Sequence, residues 1–594
     1  MQELYDRQRL AFAAMWPELA PELPDIPPEP PPVPAGDEAT WRASLGPALA
    51  THAAAVVVLG FGDGSVLWRL LADPIGRTKS IHVVLWGGEE AAFAAALARP
   101  FVERLVDVRL AVALVRDHAG IVAAMAAWFP RHVDVTVLAG ADLVDGHPLA
   151  AAAAATRDRL RGDLVTALTD RPQTYGNDII DSFDGIRHSA ANARLLLPAP
   201  SIGEMRGFFG DRPVVSIAAG PSVRRHLDAL RRLQDRCVLV CCDAVLHGLI
   251  DAGIHPHFVT PLERVDMVRP MLSRAAESPR TIYAGLPVVV PDVVARFAGR
   301  AIGVMCGDAL YEWLDPDCRD RVNSGLSTGV LAVTVACALT RGPVFLVGHD
   351  LAQTATDTHW DGAAFAKGEW AKGTQSSGRG AAPLSGYEQR LIPGNDGGLV
   401  ASTAWWDRFR EGIAHEAGQM AAAGRQVVNV NAHDRLFARI EHTVAGPLPD
   451  PGTLGELPPI ALPPPRPERY AAWAERARRL PQDAEAFRAH LRRLRDDLAA
   501  MRRGPPAGWV PEALAARLGY EGSGVSDGNR LAFAYFLRSA VHNVNAEMHW
   551  RRRTANAAHA RWRMLDSIDQ AAQALDNALI KLATDLQRIA DAHA

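Results

Sequence analysis

The sequence predicts a multidomain α/β protein that ends in a helical bundle. From about residue 53 to residue 430, short apolar runs alternate with helical patterns, which is typical of parallel sheets covered by helices. Proline-rich stretches at 21–36 and 447–467 interrupt this pattern and predict extended connectors. Beyond residue 468, apolar residues recur every three or four positions and arginine dominates the polar faces, which predicts a helical bundle.

The composition is that of an ordinary folded protein. Hydrophobic residues make up 48% of the 594 positions, and the formal net charge of −4 predicts neither a nucleic acid nor an anionic membrane as partner. The six cysteines lack CxxC spacing and are expected to be reduced core residues. No apolar run reaches the roughly 20 residues that span a bilayer. The N terminus does not resemble a secretory signal, so we expect a cytoplasmic protein.

These patterns divide the chain into five segments. A chain of this length is too long for one core, so several domains are expected. We predict an N-terminal helix and connector over 1–36, a Rossmann-like domain over 37–200, a central α/β domain with a parallel sheet over 201–446, a linker over 447–467 and a helical domain over 468–594.

In the Rossmann-like segment, a glycine-rich turn at 60–64 follows a valine-rich strand and opens a helix. The next strand ends in Glu89 and Glu90. This pattern is compatible with a nucleotide or S-adenosylmethionine site in which one of these acids holds a ribose. The same glycines are equally expected in a strand-to-helix turn that binds no ligand. No cluster of acids, bases or nucleophiles follows in this segment, so we favour a degenerate Rossmann-like domain.

In the central segment, polar residues follow three successive predicted strands. A Gly-Pro-Ser turn at 220–222 opens a predicted helix, where free backbone N–H groups favour an anion such as phosphate. Asp243 ends the next strand, a place from which an acid commonly meets a ribose hydroxyl. Glu263 and Asp266 follow the third strand. Because the carboxyl ends of parallel strands meet at one edge of a sheet, we predict a binding site there.

Further along the chain, a Ser/Gly-rich turn at 323–329 leads into an apolar helix and predicts a second anion site. The next strand precedes the chemically richest loop, which carries His349, Asp350, Asp357, His359 and Asp361. Such residues suit acid–base catalysis or metal binding, and equally a loop held by its own hydrogen bonds. Residues 363–400 have few periodic apolar positions and predict a mobile lid or loop.

The order of these motifs resembles the motility accessory factor family. The shared pattern consists of GPS at 220–222, LE at 262–263, NSGLSTG at 323–329, GHDLA at 348–352, DTHWDG at 357–362, IPGNDGGLVAST at 392–403 and VVNVN at 427–431. Members of that family are flagellin glycosyltransferases that attach nonulosonic acids, such as pseudaminic or legionaminic acid, to Ser or Thr of flagellin. The resemblance implies a central domain similar to bacterial sialyltransferases, a CMP-activated sugar donor, flagellin as partner and no obligatory metal or other cofactor.

The resemblance also implies roles for individual residues. Gly220, Pro221 and Ser222 would line the donor cleft, Asp243 would approach the nucleotide, and Ser327 and Thr328 would face the phosphate or sugar carboxylate. Beside these, we expect Asp266, Asn323 and Asn395 to bind substrate. Sialyltransferases of this shape have a His base in the loop matching 392–398 and a Tyr that binds the phosphate after the GxD motif. This chain has Asn395 and Asp396 in that loop and Ala352 in place of the Tyr. The catalytic base is therefore open among Asp350, His359, Asp396 and Glu263.

Two other functions stay open at this stage. The first is an enzyme like 6-hydroxymethylpterin diphosphokinase, in which the carboxylates of Asp243, Glu263, Asp266 and Asp350 would serve a Mg²⁺–ATP site, although the sequence has no P-loop lysine. The second is a non-catalytic flagellin-binding or export-assisting protein, in which the helical C-terminal segment binds and the cleft is vestigial.

Overall fold

The computed structural model describes residues 45, 55–62, 64–73, 80–97, 110–117, 120–121, 124, 142–146, 159–164, 179–318, 320–324, 327–353, 358–364, 389–503, 518, 522–535 and 557–592. The chain forms two compact units. The first unit contains Met1–Ser182, Gln482–Ser526 and Phe533–Leu582, and the second contains Phe183–Pro481, Asp527–Ala532 and Ala583–Ala594. The domain boundaries expected at residues 36, 200, 446 and 467 stay predictions.

The first unit contains a four-stranded parallel sheet of strand order β3-β2-β1-β4. Its strands are β1 Ala55–Leu59, β2 Ser80–Trp86, β3 Leu110–Val115 and β4 Asp142–Asp145, and the helices α1 Ser65–Ala72 and α2 Glu90–Leu97 follow β1 and β2. The valine-rich strands are buried and pack with Phe61 and Phe93 in one core. The order reverses between β1 and β4, which is where sheets of this kind bind ligands. The strand expected at 132–138 lies outside the described residues.

Two long helices that lie mostly in the first unit are joined by regularly spaced ion pairs. These helices are α12 Leu480–Arg503 and α13 Ala557–Ala592. The pairs are Arg488 with Asp576 at 2.8 Å, Arg495 with Asp569 at 2.8 Å and Arg502 with Asp566 at 2.8 Å. As the residue number rises along α12 it falls along α13, so the two helices run antiparallel. Helical structure after residue 468 is thus observed over both ranges.

The second unit is built on a seven-stranded parallel sheet of order β13-β12-β9-β5-β6-β7-β8. Its strands are β5 Val214–Ile217, β6 Val238–Cys241, β7 Phe258–Val259, β8 Ile282–Tyr283, β9 Val344–Val347, β12 Val427–Asn429 and β13 Val444–Ala445. The central strands β5, β6 and β9 are buried throughout, as the uninterrupted apolar runs predict. From β5 the chain adds strands first on one side and later on the other, so the topological switch point lies between β5 and β9.

Several described helices lie wholly or mostly in the second unit. They are α3 Ile179–Leu196, α4 Leu227–Leu233, α5 Leu246–Asp251, α6 Val268–Met271, α7 Pro291–Ala295, α8 Ala309–Leu314, α9 Thr328–Leu339, α10 Ala404–Ala422 and α11 Pro467–Ala477. The tryptophans of α8 and α11, Trp313 and Trp473, meet edge to face at 5.5 Å, and the Trp313 indole N–H donates to Asn529. Across the described ranges, no helix has the long apolar stretch that a membrane crossing requires.

Two segments of the second unit differ from their prediction. The Gly-Pro-Ser turn opens a 3-10 helix, Pro221–His226, before α4 begins, and Asp350 accepts the Ser222 N–H at its start. Part of the predicted lid forms an antiparallel hairpin of β10 Gln389–Pro393 and β11 Leu399–Thr403. Its inward-facing residues Ile392 and Val400 are buried against Ala352 and Ala438. The alternation of apolar and polar residues in these strands is short and lies within a polar stretch, so the sequence pattern did not predict the hairpin. Residues 365–388 lie outside the described residues.

A buried histidine of the second unit provides a test of the fold by pH. His257 is buried, and its Nδ1 accepts the Leu239 N–H at 3.0 Å. Burial lowers the pKa of His257 to about 3. The unfolded chain takes up this proton below about pH 6.5 while the native chain does not, so the stability contribution is present above pH 6.5 and is lost as the pH falls towards 3.

We therefore expect the unfolding free energy of the wild type to fall by about 2 kcal/mol, relative to that of His257→Asn, between pH 7.5 and pH 5. The Asn side chain keeps an acceptor for Leu239 but does not titrate in this range. Denaturant unfolding of both proteins at both pH values measures the difference. The variant is needed for comparison because Asp243 and Asp350 also titrate in this range. Burial raises their pKa values to about 7 and about 6, so their protonation increases the unfolding free energy as the pH falls. A difference that does not change with pH would contradict a neutral buried His257.

Candidate functional site

At the switch point, the loops after β5 and β9 lie in direct contact. The Gly220 N–H donates to the Gly348 carbonyl at 2.8 Å, and Gly348 has a φ of +73°. A Cβ atom at position 220 would lie 2.5 Å from both the Gly348 oxygen and Oδ2 of Asp350. The turn therefore needs glycine at 220 because two loop backbones meet there.

Asp350 joins these loops to each other. Its carboxylate is 2% exposed and accepts the Ser222 N–H at 2.7 Å and the Ser222 hydroxyl at 2.6 Å. The Ser222 hydroxyl in turn accepts a hydrogen bond from the Asn431 amide at 2.8 Å, which adds the loop after β12. Burial raises the pKa of Asp350 to about 6, and the two bonds from Ser222 oppose this rise. The groups of Ser222 expected to bind a phosphate are thus occupied by a carboxylate of the chain, and a catalytic role for Asp350 stays a prediction.

The predicted residues of the β10–β11 tip have separate roles in the structure. Asn395 donates from its amide to the carbonyls of Asn431 and Asp434, at 3.1 Å each, and so fixes the loop after β12. Asp396 is exposed, and its Oδ1 accepts the Gly398 N–H at 2.9 Å, which shapes the hairpin turn. The structure thus brings Ser222, Asp350 and Asn395 to one side of the sheet edge, linked through Asn431.

The histidines of the loop after β9 are uncharged at neutral pH. His349 is buried with its Nε2 at 3.0 Å from the Ser216 hydroxyl, and burial lowers its pKa to about 3. His359 is half-buried, packs edge to face on Trp406 at 5.8 Å, and has its pKa lowered to about 4 by burial. Asp361 pairs on the surface with Arg224 at 3.3 Å. Asp357 lies outside the described residues.

A second group of predicted residues meets at the ends of β6 and β7. Asp243 is 2% exposed, and its Oδ1 accepts the Ala244 N–H at 2.8 Å. Its Oδ2 has no hydrogen-bond partner among the residues that the structure describes. Burial raises the pKa of Asp243 to about 7, the carboxylate of Glu263 acts in the same direction, and the Ala244 N–H and the Thr328 hydroxyl oppose them. Asp243, Glu263 and Thr328 are therefore neighbours, as their positions at strand and helix ends predict.

The start of α9 lies beside Asp243. Ser327 caps this helix, since its hydroxyl accepts the Gly329 N–H at 3.2 Å, and Thr260 donates to the Thr328 carbonyl at 3.2 Å. All residues of α9 from Val330 to Leu339 are buried, so the helix dipole acts in a poorly screened environment and favours an anion at this end. The sequence prediction of an anion site at this turn is therefore compatible with the geometry.

Two other predicted substrate-binding residues are placed differently. The Asn323 backbone carbonyl accepts the Thr334 hydroxyl of α9 at 3.0 Å. Asp266 is highly exposed and forms a surface ion pair with Arg269 at 3.0 Å. Thr260 and Asn431 were not predicted as site residues. The sequence feature that could have identified both is a polar residue at the end of an apolar strand. In the described part of the chain, no three His, Cys, Asp or Glu side chains gather as metal ligands.

The glycine-rich turn of the first unit is filled by the chain itself. The Glu89 carboxylate is 1% exposed and accepts the N–H groups of Phe61, Gly62 and Trp86 at 2.8, 2.9 and 2.8 Å. Glu90 instead accepts the Gly88 N–H and pairs with Arg116. The donors that would hold a nucleotide phosphate are engaged by Glu89, so this geometry favours the structural turn over a cofactor site.

The second unit is thus an α/β domain whose buried polar groups lie at the carboxyl edge of a parallel sheet. A family model described as "6-hydroxymethylpterin diphosphokinase MptE-like" matches residues 187–356. The chain is also similar to the solved structure of MAf glycosyltransferase from Magnetospirillum magneticum AMB-1. The identity is 16% and the TM-score 0.60, over 98% of this chain and 89% of that one. No curated protein sequence matches the chain. The shared feature established here is the fold.

Proposed function

We propose that the protein is a cytoplasmic glycosyltransferase that moves a nonulosonic acid from a CMP-activated donor to Ser or Thr hydroxyls of flagellin, with no obligatory metal. The observation that carries the proposal is the similarity to a glycosyltransferase structure over 98% of the chain, far beyond residues 187–356. The order of the sequence motifs from 220 to 431 adds support, because it resembles that of flagellin glycosyltransferases.

In this reaction, the acceptor hydroxyl oxygen forms a bond to the anomeric carbon of the donor. The bond from that carbon to the phosphate oxygen breaks, and its electron pair leaves with CMP. The helix dipole at the start of α9 stabilises the phosphate. A side chain of the site accepts the hydroxyl proton.

Two of the four predicted bases fit this last role best. Both carboxylate oxygens of Asp350 accept hydrogen bonds from Ser222, and Asp396 lies exposed at a hairpin tip. His359 is half-buried and neutral at pH 7, and Glu263 lies beside Asp243. We therefore assign the proton acceptor to His359 or Glu263.

We expect His359→Ala or Glu263→Gln to lower the rate of transfer at least about 100-fold, the usual contribution of a general base. Mass spectrometry of flagellin incubated with the protein and a CMP-nonulosonic acid measures the transfer. Asp228→Asn, which changes an exposed residue paired with Arg231, is the control and retains activity. If both site variants transferred sugar at the rate of the control, neither residue would be the base.

A second candidate function is supported by the match of residues 187–356 to a pterin diphosphokinase-like model. The carboxylates of Asp243 and Glu263 are the type of ligand that a Mg²⁺–ATP site uses. Thermal unfolding with CMP, or with ATP and Mg²⁺, separates the candidates, because a ligand at 100 times its dissociation constant adds about 2.7 kcal/mol of stability. Stabilisation by ATP with Mg²⁺ alone favours the kinase. Flagellin binding that survives every substitution in the site favours a non-catalytic binding protein.

A further inference from the structure

The Oδ2 atom of Asp243 is a buried polar atom at the edge of the second unit's sheet. Asp243 follows β6 with 2% of its surface exposed, and its Oδ1 accepts the Ala244 N–H. Oδ2 has no donor at hydrogen-bond geometry in the described ranges, although the Thr328 hydroxyl lies near enough to the carboxyl group to lower the pKa of Asp243. Buried polar atoms in native proteins nearly always have a partner, because an unpaired one has lost its hydrogen bonds to water without replacement. A buried oxygen without a hydrogen-bond partner, near the start of the buried helix α9, points to a ligand that completes the bond.

The groups around Asp243 determine which ligand atom suits it. Glu263, on the segment after β7, is a charged neighbour whose carboxylate raises the pKa of Asp243. The thiols of Cys241 and Cys242 are buried and uncharged, because burial raises their pKa values. On β8, burial likewise raises the pKa of Tyr283, whose hydroxyl donates to the Leu286 carbonyl at 2.7 Å.

Asp243 is the more buried of the two carboxyl groups, and the charge of Glu263 disfavours its ionisation, so Asp243 keeps its proton to a higher pH than a free carboxyl group does. Asp243 is therefore suited to donate a hydrogen bond from Oδ2, while the start of α9 attracts negative charge. An anionic oxygen can accept the hydrogen bond from Asp243 and is attracted by the helix dipole of α9. A phosphate is such a group, since it brings several acceptor oxygens to one helix end.

We propose that Asp243 acts as a neutral carboxylic acid that donates a hydrogen bond from Oδ2 to a phosphate oxygen held at the start of α9. The inference rests on the proposed function for the identity of that phosphate, which is the one of the CMP-sugar donor. It deepens that function by giving Asp243 direct contact with the leaving group, in place of the ribose contact that the sequence predicts.

The proton balance of the step is simple. The acceptor hydroxyl proton goes to the base, and the electron pair of the broken bond goes to the CMP phosphate oxygen. The proton of Asp243 stays on Asp243, and its hydrogen bond strengthens as negative charge grows on the phosphate. Ionised Asp243 has no proton to donate and repels the phosphate, so the contact is lost as the pH rises.

The test is isothermal titration calorimetry of the full-length protein with CMP from pH 7 to pH 9. In this range the phosphate of CMP changes its own charge little, since its second pKa is about 6. For the wild type, we expect the affinity for CMP to fall, approaching tenfold per pH unit at the upper end. The affinity of Asp243→Asn should stay constant, because an amide donates a hydrogen bond at every pH in the range. Cytidine, which lacks the phosphate, is the matched control ligand and should show no such fall.

A further variant separates the two carboxyl groups. Glu263→Gln removes the neighbouring charge, so the fall in CMP affinity should begin at a lower pH than in the wild type. A wild-type affinity for CMP that does not change with pH, or an equal fall in Asp243→Asn, would overturn the inference while the proposed function stands. No binding of CMP by the wild type at any pH would overturn the proposed function and the inference together.

Discussion

Replacing Asp350 by alanine is expected to lower the free energy of unfolding of the second unit by about 2–6 kcal/mol and to abolish sugar transfer. The substitution removes the acceptor of two buried hydrogen bonds, from the N–H and the hydroxyl of Ser222. Each buried donor left unpaired costs about 1–3 kcal/mol. Because Asn431 is held through the same serine, the loops after β5, β9 and β12 lose their common attachment.

Matched variants at positions 350 and 222 distinguish a structural role of Asp350 from a catalytic one. Asp350→Asn keeps one acceptor oxygen and should lose less stability than Asp350→Ala, and Ser222→Ala should lose about 1 kcal/mol. Denaturant unfolding and the flagellin transfer assay are measured on all three. An Asp350→Ala protein as stable as the wild type but inactive would show that Asp350 acts in the chemistry, as the sequence alone suggested.

Replacing Glu89 by alanine is expected to destabilise the first unit by at least about 3 kcal/mol. Three backbone N–H groups, those of Phe61, Gly62 and Trp86, lose their acceptor in a buried place, at about 1–3 kcal/mol each. Hydrogen exchange measured by mass spectrometry should show faster exchange in peptides that cover residues 55–72. Calorimetric unfolding gives the size of the loss.

The neighbouring acid offers the control for this substitution. Glu90 accepts a bond from Gly88 and pairs with Arg116, which is half exposed, so Glu90→Ala should change stability by about 1 kcal/mol or less. CMP affinity should be unchanged in Glu90→Ala and in the milder Glu89→Gln. Loss of CMP binding in Glu89→Gln with the fold intact would place a ligand site in the first unit and contradict a self-filled turn.

The sequence predicts the parallel sheets and the polar strand ends because both depend on local patterns. Uninterrupted apolar runs predict buried parallel strands, and Asp243 follows such a run at the expected sheet edge. The sequence cannot predict which way a carboxylate turns. A glycine turn followed by an acid looks the same whether the acid holds a ribose or, like Glu89, accepts the N–H groups of the turn. Likewise, Asp350 reaches Ser222 only because β5 and β9 are neighbours, and that pairing joins residues 128 positions apart.

The central claim is that the donor phosphate binds at the start of α9, beside Asp243, and not at the glycine-containing turns. A crystal structure of the protein with CMP tests this most directly. We expect the phosphate within about 3 Å of the backbone or hydroxyl of Thr328 and of Oδ2 of Asp243. The Asp350 to Ser222 and Glu89 to Gly62 bonds should remain intact. A phosphate bound at the Ser222 N–H, with Asp350 displaced, or at residues 60–64 of the first unit, would contradict the claim.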